Sequence, residues 1–163
     1  VASKLGEMAS YCEIWRHSLE GFEHLMFQPG GTEKAGASTQ ALHIWFAQTS
    51  QRMIQILREV AGSGIIMQPS EADLANPMLR PYLERYMRGK DVDVEYKSRL
   101  FRLAHELAVS SFGMRQEVYE YWHSGDPSRN RVNLLRRFDQ SDIREQITEL
   151  ISKPLPHGPQ LDP

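Results

Sequence analysis

The chain has 163 residues, a quarter of them charged, with positive and negative groups interspersed and a net charge of −2. That length supplies one domain with a sizeable core. The charge balance excludes a dedicated nucleic-acid or anionic-membrane surface. The only cysteine, Cys12, excludes a disulfide framework or a cysteine-rich metal site within the chain and fits a reducing, cytoplasmic setting. No apolar run is long enough to span a bilayer. The opening "VASKLGEMASYCEIW" has no signal-peptide layout and no initiator Met, and it starts directly on a helical pattern. A domain or fragment of a longer protein is therefore expected.

In chain order, Leu5, Met8, Cys12, Trp15, Leu19, Phe22 and Met26 recur at steps of three and four, the stripe of an amphipathic helix. Pro-Gly-Gly then stops it, and Gln28–Ser38 is expected to be a loop. A second helix is expected from Ser38 or Thr39, with Leu42, Trp45, Thr49, Met53, Ile56, Leu57 and Val60 inward, ending at Ala61–Gly64. A connector, Ile65–Pro77, carries a short Ser70/Asp73 capping motif. A short helix comes next over Met78–Gly89. A third long helix is expected from Val92–Asp93 to Trp122, with Tyr96, Leu100, Leu103, Leu107, Ser111, Met114, Val118 and Trp122 as its core face. Roughly thirty residues at helical rise would make it about 45 Å long. Gly-Asp-Pro ends it, with Asp126 or Ser128 capping the next helix. The last helical pieces cover Arg129–Phe138 and Asp139–Ser152. A Pro-rich tail completes the chain, 153–163. No stretch alternates with the period of a strand. The fold class expected is all-α, an antiparallel four-helix bundle over 1–152 with three long helices and a shorter fourth.

Catalytic motifs are scarce. His105-Glu106-Leu107 is not H-E-x-x-H, because position 109 is Val. The six histidines are scattered, and no metal site and no catalytic residue is expected. The arginines Arg129, Arg131, Arg136 and Arg137 read as a solvated face or as partners for acidic residues of a neighbouring subunit. Two stretches stand out. Gly62-Ser63-Gly64 reads either as a plain helix stop or as a turn whose N–H groups hold an anion. In "SSFGMRQE", Ser110–Glu117, a mid-helix Gly113 costs about 1 kcal/mol relative to Ala. It makes room for a crossing helix or for a ligand. Arg115 beside it is either solvated or aimed at a phosphate.

These stretches carry a resemblance. "KLGEM" (Lys4–Met8), "ILREVAGSGIIMQPSEADL" (Ile56–Leu74), "LRPYLERYMRG" (Leu79–Gly89), "RLFRLAHELAVSSFGMRQEVYEYWHSGDPSRNRV" (Arg99–Val132) and the helix Asp139–Ile151 resemble the oxygenase component of two-component, flavin-dependent phenol hydroxylases of the 4-hydroxyphenylacetate 3-monooxygenase type. The most specific part runs from Gly113 to Glu120 and on to Gly125-Asp126. The resemblance implies the C-terminal helical bundle of an acyl-CoA-dehydrogenase-like subunit whose N-terminal and β-barrel domains are not in this sequence. It implies reduced FAD supplied by a separate flavin reductase, a C4a-hydroperoxyflavin formed with O₂, and hydroxylation of a phenolic substrate. It implies that this domain binds FAD and forms a homotetramer. It also implies that Gly62, Ser63, Gly64, Phe112, Gly113, Arg115 and Gln116 face the cofactor. Two positions depart from the family pattern: Met114, where Gly is common, and Arg58, where Gln is common.

The resemblance implies that the phenol-holding residues lie in the absent domains, so this stretch alone is expected to be inactive. Two further functions are open. A non-enzymatic helical scaffold fits the lack of any acid, base or nucleophile cluster. A flavin dehydrogenase or dehydratase acting on acyl-CoA fits the same fold, although its iron–sulfur branch needs more cysteines than Cys12.

Overall fold

The computed structural model describes residues 1–153, except that the side chains of 33, 34 and 37 are not described. The expected Pro-rich tail therefore lies, from 154 to 163, outside the described residues. Eight α-helices are described: α1 (Ala2–Met26), α2 (Gly31–Ala61), α3 (Glu71–Ala75), α4 (Arg80–Tyr86), α5 (Val94–Ala108), α6 (Ser111–Trp122), α7 (Pro127–Arg137) and α8 (Ser141–Ser152). A 3-10 turn, Gly62–Ile65, comes after α2, and no strand occurs among the described residues. The long α2 is the axis of the bundle: α1, α5, α6 and α7 all pack on it. The chain is thus an all-α four-helix bundle, with α5 and α6 together forming one of its columns.

The loop expected over 28–38 is only a tight reversal. A left-handed Gly30 turns the chain, the Gly31 N–H donates to the Gln28 carbonyl at 2.8 Å, and α2 begins at once. The residues after Gly31 are compatible with a helix, so the two glycines punctuate the chain without interrupting α2.

The α1–α2 seam is tied by both apolar and charged contacts. The Trp15 ring stacks on Trp45 at 6.2 Å and packs against Phe46 at 5.2 Å, and Tyr11 meets Trp45 edge-on at 6.0 Å. Arg52 on α2 donates to both carboxylate oxygens of Glu7 on α1, at 2.6 and 2.9 Å, a fork-to-fork pair. Hydrogen bonds from Arg52 and from the Tyr11 hydroxyl hold the Glu7 carboxyl down to about 2. Lys4 joins α1 to Glu59. The inward face of α1 is Met8, Tyr11, Trp15, Phe22 and Leu25, while Leu5, Cys12, Leu19 and Met26 lie outside it. The expected stripe therefore divides between two sides of the helix.

The fully buried apolar core is small: Ala35, Ala47, Ile56, Ile65, Val94 and Ala108 among the described residues. The expected core face of the third helix is not buried here. Tyr96, Leu100, Leu103, Leu107, Met114, Val118 and Trp122 are each more than half exposed. The residues of α5 and α6 that are buried are Val94, Ser98, Ala108 and Gly113. Every residue of α8 is exposed, including Ile143, Ile147, Leu150 and Ile151. A periodic apolar stripe records that a face is to be covered, but not which surface covers it.

The third long helix is also not one helix. It divides at Val109–Ser110 into α5, of 15 residues, and α6, of 12. Asp93 caps α5 by accepting the Tyr96 N–H at 2.7 Å. At the break, the N–H groups of Val109 and Ser110 both donate to the His105 carbonyl. The Ser110 hydroxyl then works on both helices: it donates to the Glu106 carbonyl at 2.8 Å and accepts the Gly113 N–H at 3.0 Å. Other boundary signals hold. Ser70 and Asp73 form a reciprocal capping box at α3, and Asp126 caps α7 by accepting the Ser128 N–H at 2.8 Å.

Candidate functional site at the α5–α6 corner

The corner between α5 and α6 explains the awkward glycine. Gly113 is the third residue of α6, not a mid-helix residue, and it lies against the last turn of α5. A Cβ there would stand 2.3 Å from the Glu106 carbonyl oxygen and 2.6 Å from that of Leu107. Both obstacles are backbone, so only glycine lets the two helix ends meet at this angle. Of the two readings open for Gly113, close approach of a helix is the one its geometry satisfies.

From this corner several side chains of the first two turns of α6 are exposed. Phe112 is 72% exposed. Arg115 is exposed and makes no hydrogen bond or ion pair among the described residues. Gln116 is exposed and donates to Glu120 at 2.5 Å. Further along the helix, Tyr119 and Trp122 are exposed too. Residues 112, 115, 119 and 122 are separated by steps of three, four and three, so one face of α6 presents three aromatic rings and a guanidinium unpaired among the described residues. Periodicity assigns Trp122 to the core and passes over Tyr119. The signal that finds this face is Ser110 as an N-cap, which resets the helix phase.

Beside this face, an apolar groove of about 290 Å³ lies between α2 and α6. Phe46, Met53 and Ile54 form one wall, and Leu107, Phe112 and Gly113 form the other. Glu106, Glu117 and Glu120 stand on its rim. Of the sequence-predicted residues, Phe112, Gly113 and Gln116 therefore converge on one groove.

Gly62, Ser63 and Gly64 do not line that groove. They form the 3-10 turn after α2, with Gly62 at φ 56. At Gly64 a Cβ would meet the Phe101 ring of α5 at 2.5 Å, so this glycine seats an aromatic side chain of the same chain. The Ser63 carbonyl accepts the N–H groups of Ile66 and Met67. No hydrogen bond joins this turn to α6 among the described residues.

The connection between the two motifs is Arg58, one turn before Gly62. Its Nε donates to the Ala108 carbonyl at 2.7 Å, and its Nη2 donates to a Glu117 carboxylate oxygen at 2.8 Å. One guanidinium thus holds the end of α5 and the second turn of α6 onto α2. The sequence marks Arg58 only as a departure from the family pattern, because a pairing 50 and 59 residues away has no local signature.

Comparison with known proteins gives the same segments a relationship. A family model described as HpaB, 4-hydroxyphenylacetate 3-hydroxylase C terminal, matches residues 1–152. The chain is 36% identical over 104 residues to the 4-hydroxyphenylacetate 3-monooxygenase oxygenase component of Thermus thermophilus, covering 64% of this chain and 21% of that protein. It is 31% identical over 115 residues to the corresponding component of a Geobacillus species, covering 71% and 23%. It superposes with a TM-score of 0.76, at 27% identity, on a crystal structure of the oxygenase component of 4-hydroxyphenylacetate 3-monooxygenase complexed with FAD. That match covers 93% of this chain and 32% of the crystallised one. The chain therefore spans about a fifth to a third of the length of these relatives. With a bundle of the same fold and a family match running from Val1 to Ser152, the chain belongs to the 4-hydroxyphenylacetate 3-hydroxylase C-terminal family.

Proposed function

We propose that this chain is the C-terminal bundle domain of a longer, reduced-FAD-dependent oxygenase, and that the outer face of the α5–α6 corner is its edge of the flavin site. The observation that carries the reading is Arg115: an exposed guanidinium without a partner among the described residues, one turn from the exposed Phe112 ring. Such a pair suits a flat cofactor bearing a pyrophosphate. The guanidinium binds the anion as a fork, and the ring packs on an aromatic or ribose surface.

The chain's own groups divide the work. Arg115 binds phosphate oxygens. Phe112 excludes water beside it. Gln116, steadied by Glu120, offers its remaining amide capacity to a polar edge. Gly113 shapes the corner without touching the ligand, since the place of its missing side chain is already filled by the α5 backbone. Gly62, Ser63 and Gly64 form a second contact, toward the flavin of a neighbouring subunit. Bound reduced FAD supplies the two electrons that, with O₂, place one oxygen atom on a phenol and leave the other as water. The phenol pocket, the flavin reductase and the homotetramer belong to the same proposal. The uncovered apolar faces of α5, α6 and α8 supply surface for the missing domains and neighbouring subunits.

The test is an anaerobic titration of the full-length polypeptide with reduced FAD, wild type against Arg115→Ala. Reconstitution with a flavin reductase, NADH and 4-hydroxyphenylacetate completes it. The expected result is a dissociation constant raised about tenfold, as for loss of one charge-assisted contact, and phenol hydroxylation by the wild type. Unchanged affinity in Arg115→Ala would remove the corner from the flavin site. Oxygen consumed only to peroxide, across a panel of phenols, would remove the hydroxylase reading.

A further inference from the structure

We propose that Arg58 is a positioning residue: a clasp that sets the angle of the α5–α6 corner and so presents Phe112 and Arg115 to the cofactor without touching it. This rests on the flavin-edge reading above. Three observations converge. Arg58 projects from the last turn of α2, the axis of the bundle. Its Nε takes the Ala108 carbonyl, one of the orphan acceptors at the end of α5, at 2.7 Å. Its Nη2 takes the Glu117 carboxylate, in the second turn of α6, at 2.8 Å. The three helices that meet at the corner are therefore tied through one planar group whose donors have a fixed spacing.

The joint needs such a tie. The chain between α5 and α6 is two residues, Val109 and Ser110. Its other hydrogen bonds are local: the Ser110 hydroxyl bridges the Glu106 carbonyl and the Gly113 N–H. Those bonds fix the cap of α6, and the corner otherwise meets α2 through apolar contacts beside Phe46, Met53 and Ile54, which carry no fixed donor geometry. Gly113 packed on bare backbone gives a close contact with no interlocking side chain. Arg58 and Glu117 supply the register, and Arg115 is two residues from Glu117 on the same helix. With the clasp open, α6 samples several orientations and only a fraction present the Phe112–Arg115 face. Apparent cofactor affinity falls by that fraction.

The experiment uses the full-length polypeptide, four single variants, Arg58→Ala, Arg58→Lys, Glu117→Ala and Arg115→Ala, and the double variant Arg58→Ala with Glu117→Ala. Amide hydrogen exchange over 111–118 without flavin reads the corner itself, and anaerobic titration with reduced FAD reads its consequence. Arg58→Ala is expected to speed exchange in the first turn of α6 and to raise the dissociation constant about tenfold, the result if a tenth of molecules keep the competent corner. Arg58→Lys recovers less than half of that loss, because one ammonium cannot hold carbonyl and carboxylate together. Arg58→Ala combined with Glu117→Ala weakens binding no further than Arg58→Ala alone. Arg115→Ala weakens binding with exchange unchanged. The clasp is overturned if Arg58→Ala lowers the melting temperature but leaves both exchange and affinity within twofold of wild type. If Arg58→Ala speeds exchange while Arg115→Ala leaves affinity unchanged, the flavin-edge reading fails and takes the clasp's cofactor role with it; the two failures are thus separable.

Discussion

The two sides of α2 are finished to different degrees. On the α1 side, stacked rings and a forked ion pair tie one part of the seam within the chain, Trp15 on Trp45 and Phe46 and Arg52 on Glu7, while a groove of about 530 Å³ stays open beside Ile14, Phe22, Leu25 and Trp45. On the α5–α6 side, Leu100, Leu103 and Leu107 border open apolar grooves against α2, and Met114, Val118 and Trp122 are more than half exposed. Helix α8 has the same character along its whole length. The α1 side is tied by rings and by an ion pair whose partners are 45 residues apart in the chain. The other side leaves large apolar residues exposed in this chain and carries a long-range polar tie at Arg58.

Substitutions probe this contrast, in decreasing order of expected cost. Gly113→Ala forces a methyl against the Glu106 and Leu107 carbonyls. It is expected to destabilise the full-length polypeptide by about 2–3 kcal/mol in chemical denaturation, despite the better helix propensity of Ala. A neutral result would show that the corner can open freely. Trp15→Ala removes a half-buried ring from the α1–α2 seam and is expected to cost about 2 kcal/mol, below the range for fully buried aromatics. Ser110→Ala deletes the cap shared by α5 and α6, at a cost of about 1 kcal/mol.

Leu103→Ala separates the two kinds of surface most cleanly. Leu103 is more than half exposed within this chain. If nothing else covers it, the change costs less than about 0.5 kcal/mol. If a neighbouring domain or subunit covers it, the cost rises to about 1–2 kcal/mol in the assembled protein, and sedimentation reads any loss of assembly. The smallest effect at neutral pH comes from titration. The carboxyl of Glu7 is lowered from 4.5 to about 2 by its bonds to Arg52 and Tyr11. A depressed carboxyl stabilises the fold above its unfolded value and loses that contribution as pH falls. The ion-pair part of the α1–α2 seam is therefore constant above about pH 5 and fades between about pH 4.5 and 2. Tryptophan fluorescence from Trp15 and Trp45 tracks it, and Glu7→Gln is expected to abolish the acid dependence of that signal.

Much of the bundle is legible in the sequence because its signals are local. The Ser70/Asp73 box, the Asp126-Pro127 start and the Gly62 stop are all where short-range chemistry puts them. The division at Val109–Ser110 is hidden there, because an unbroken apolar stripe masks an N-cap serine. The burial of that stripe is illegible for a deeper reason: periodicity defines a face, whereas burial depends on what else is present. At the candidate site, Phe112, Arg115 and Gln116 are found through family resemblance, and their exposure agrees with an outward-facing role. The reason for Gly113 is open in the sequence because a ligand and a crossing helix make the same demand on a glycine. Only the Glu106 and Leu107 carbonyls decide between them. The role of Arg58 is beyond sequence reasoning, since its partners are brought to it by the fold.

Hydrogen–deuterium exchange on the full-length polypeptide, recorded anaerobically with and without reduced FAD, asks most directly whether the outer face of the α5–α6 corner holds the cofactor. If it does, the first two turns of α6, around Phe112–Gln116, gain protection on addition of reduced FAD, while the α1–α2 seam around Trp15 and Trp45 does not change. Protection confined to other segments, with the exchange of α6 unaltered by saturating cofactor, would contradict a flavin edge at this corner.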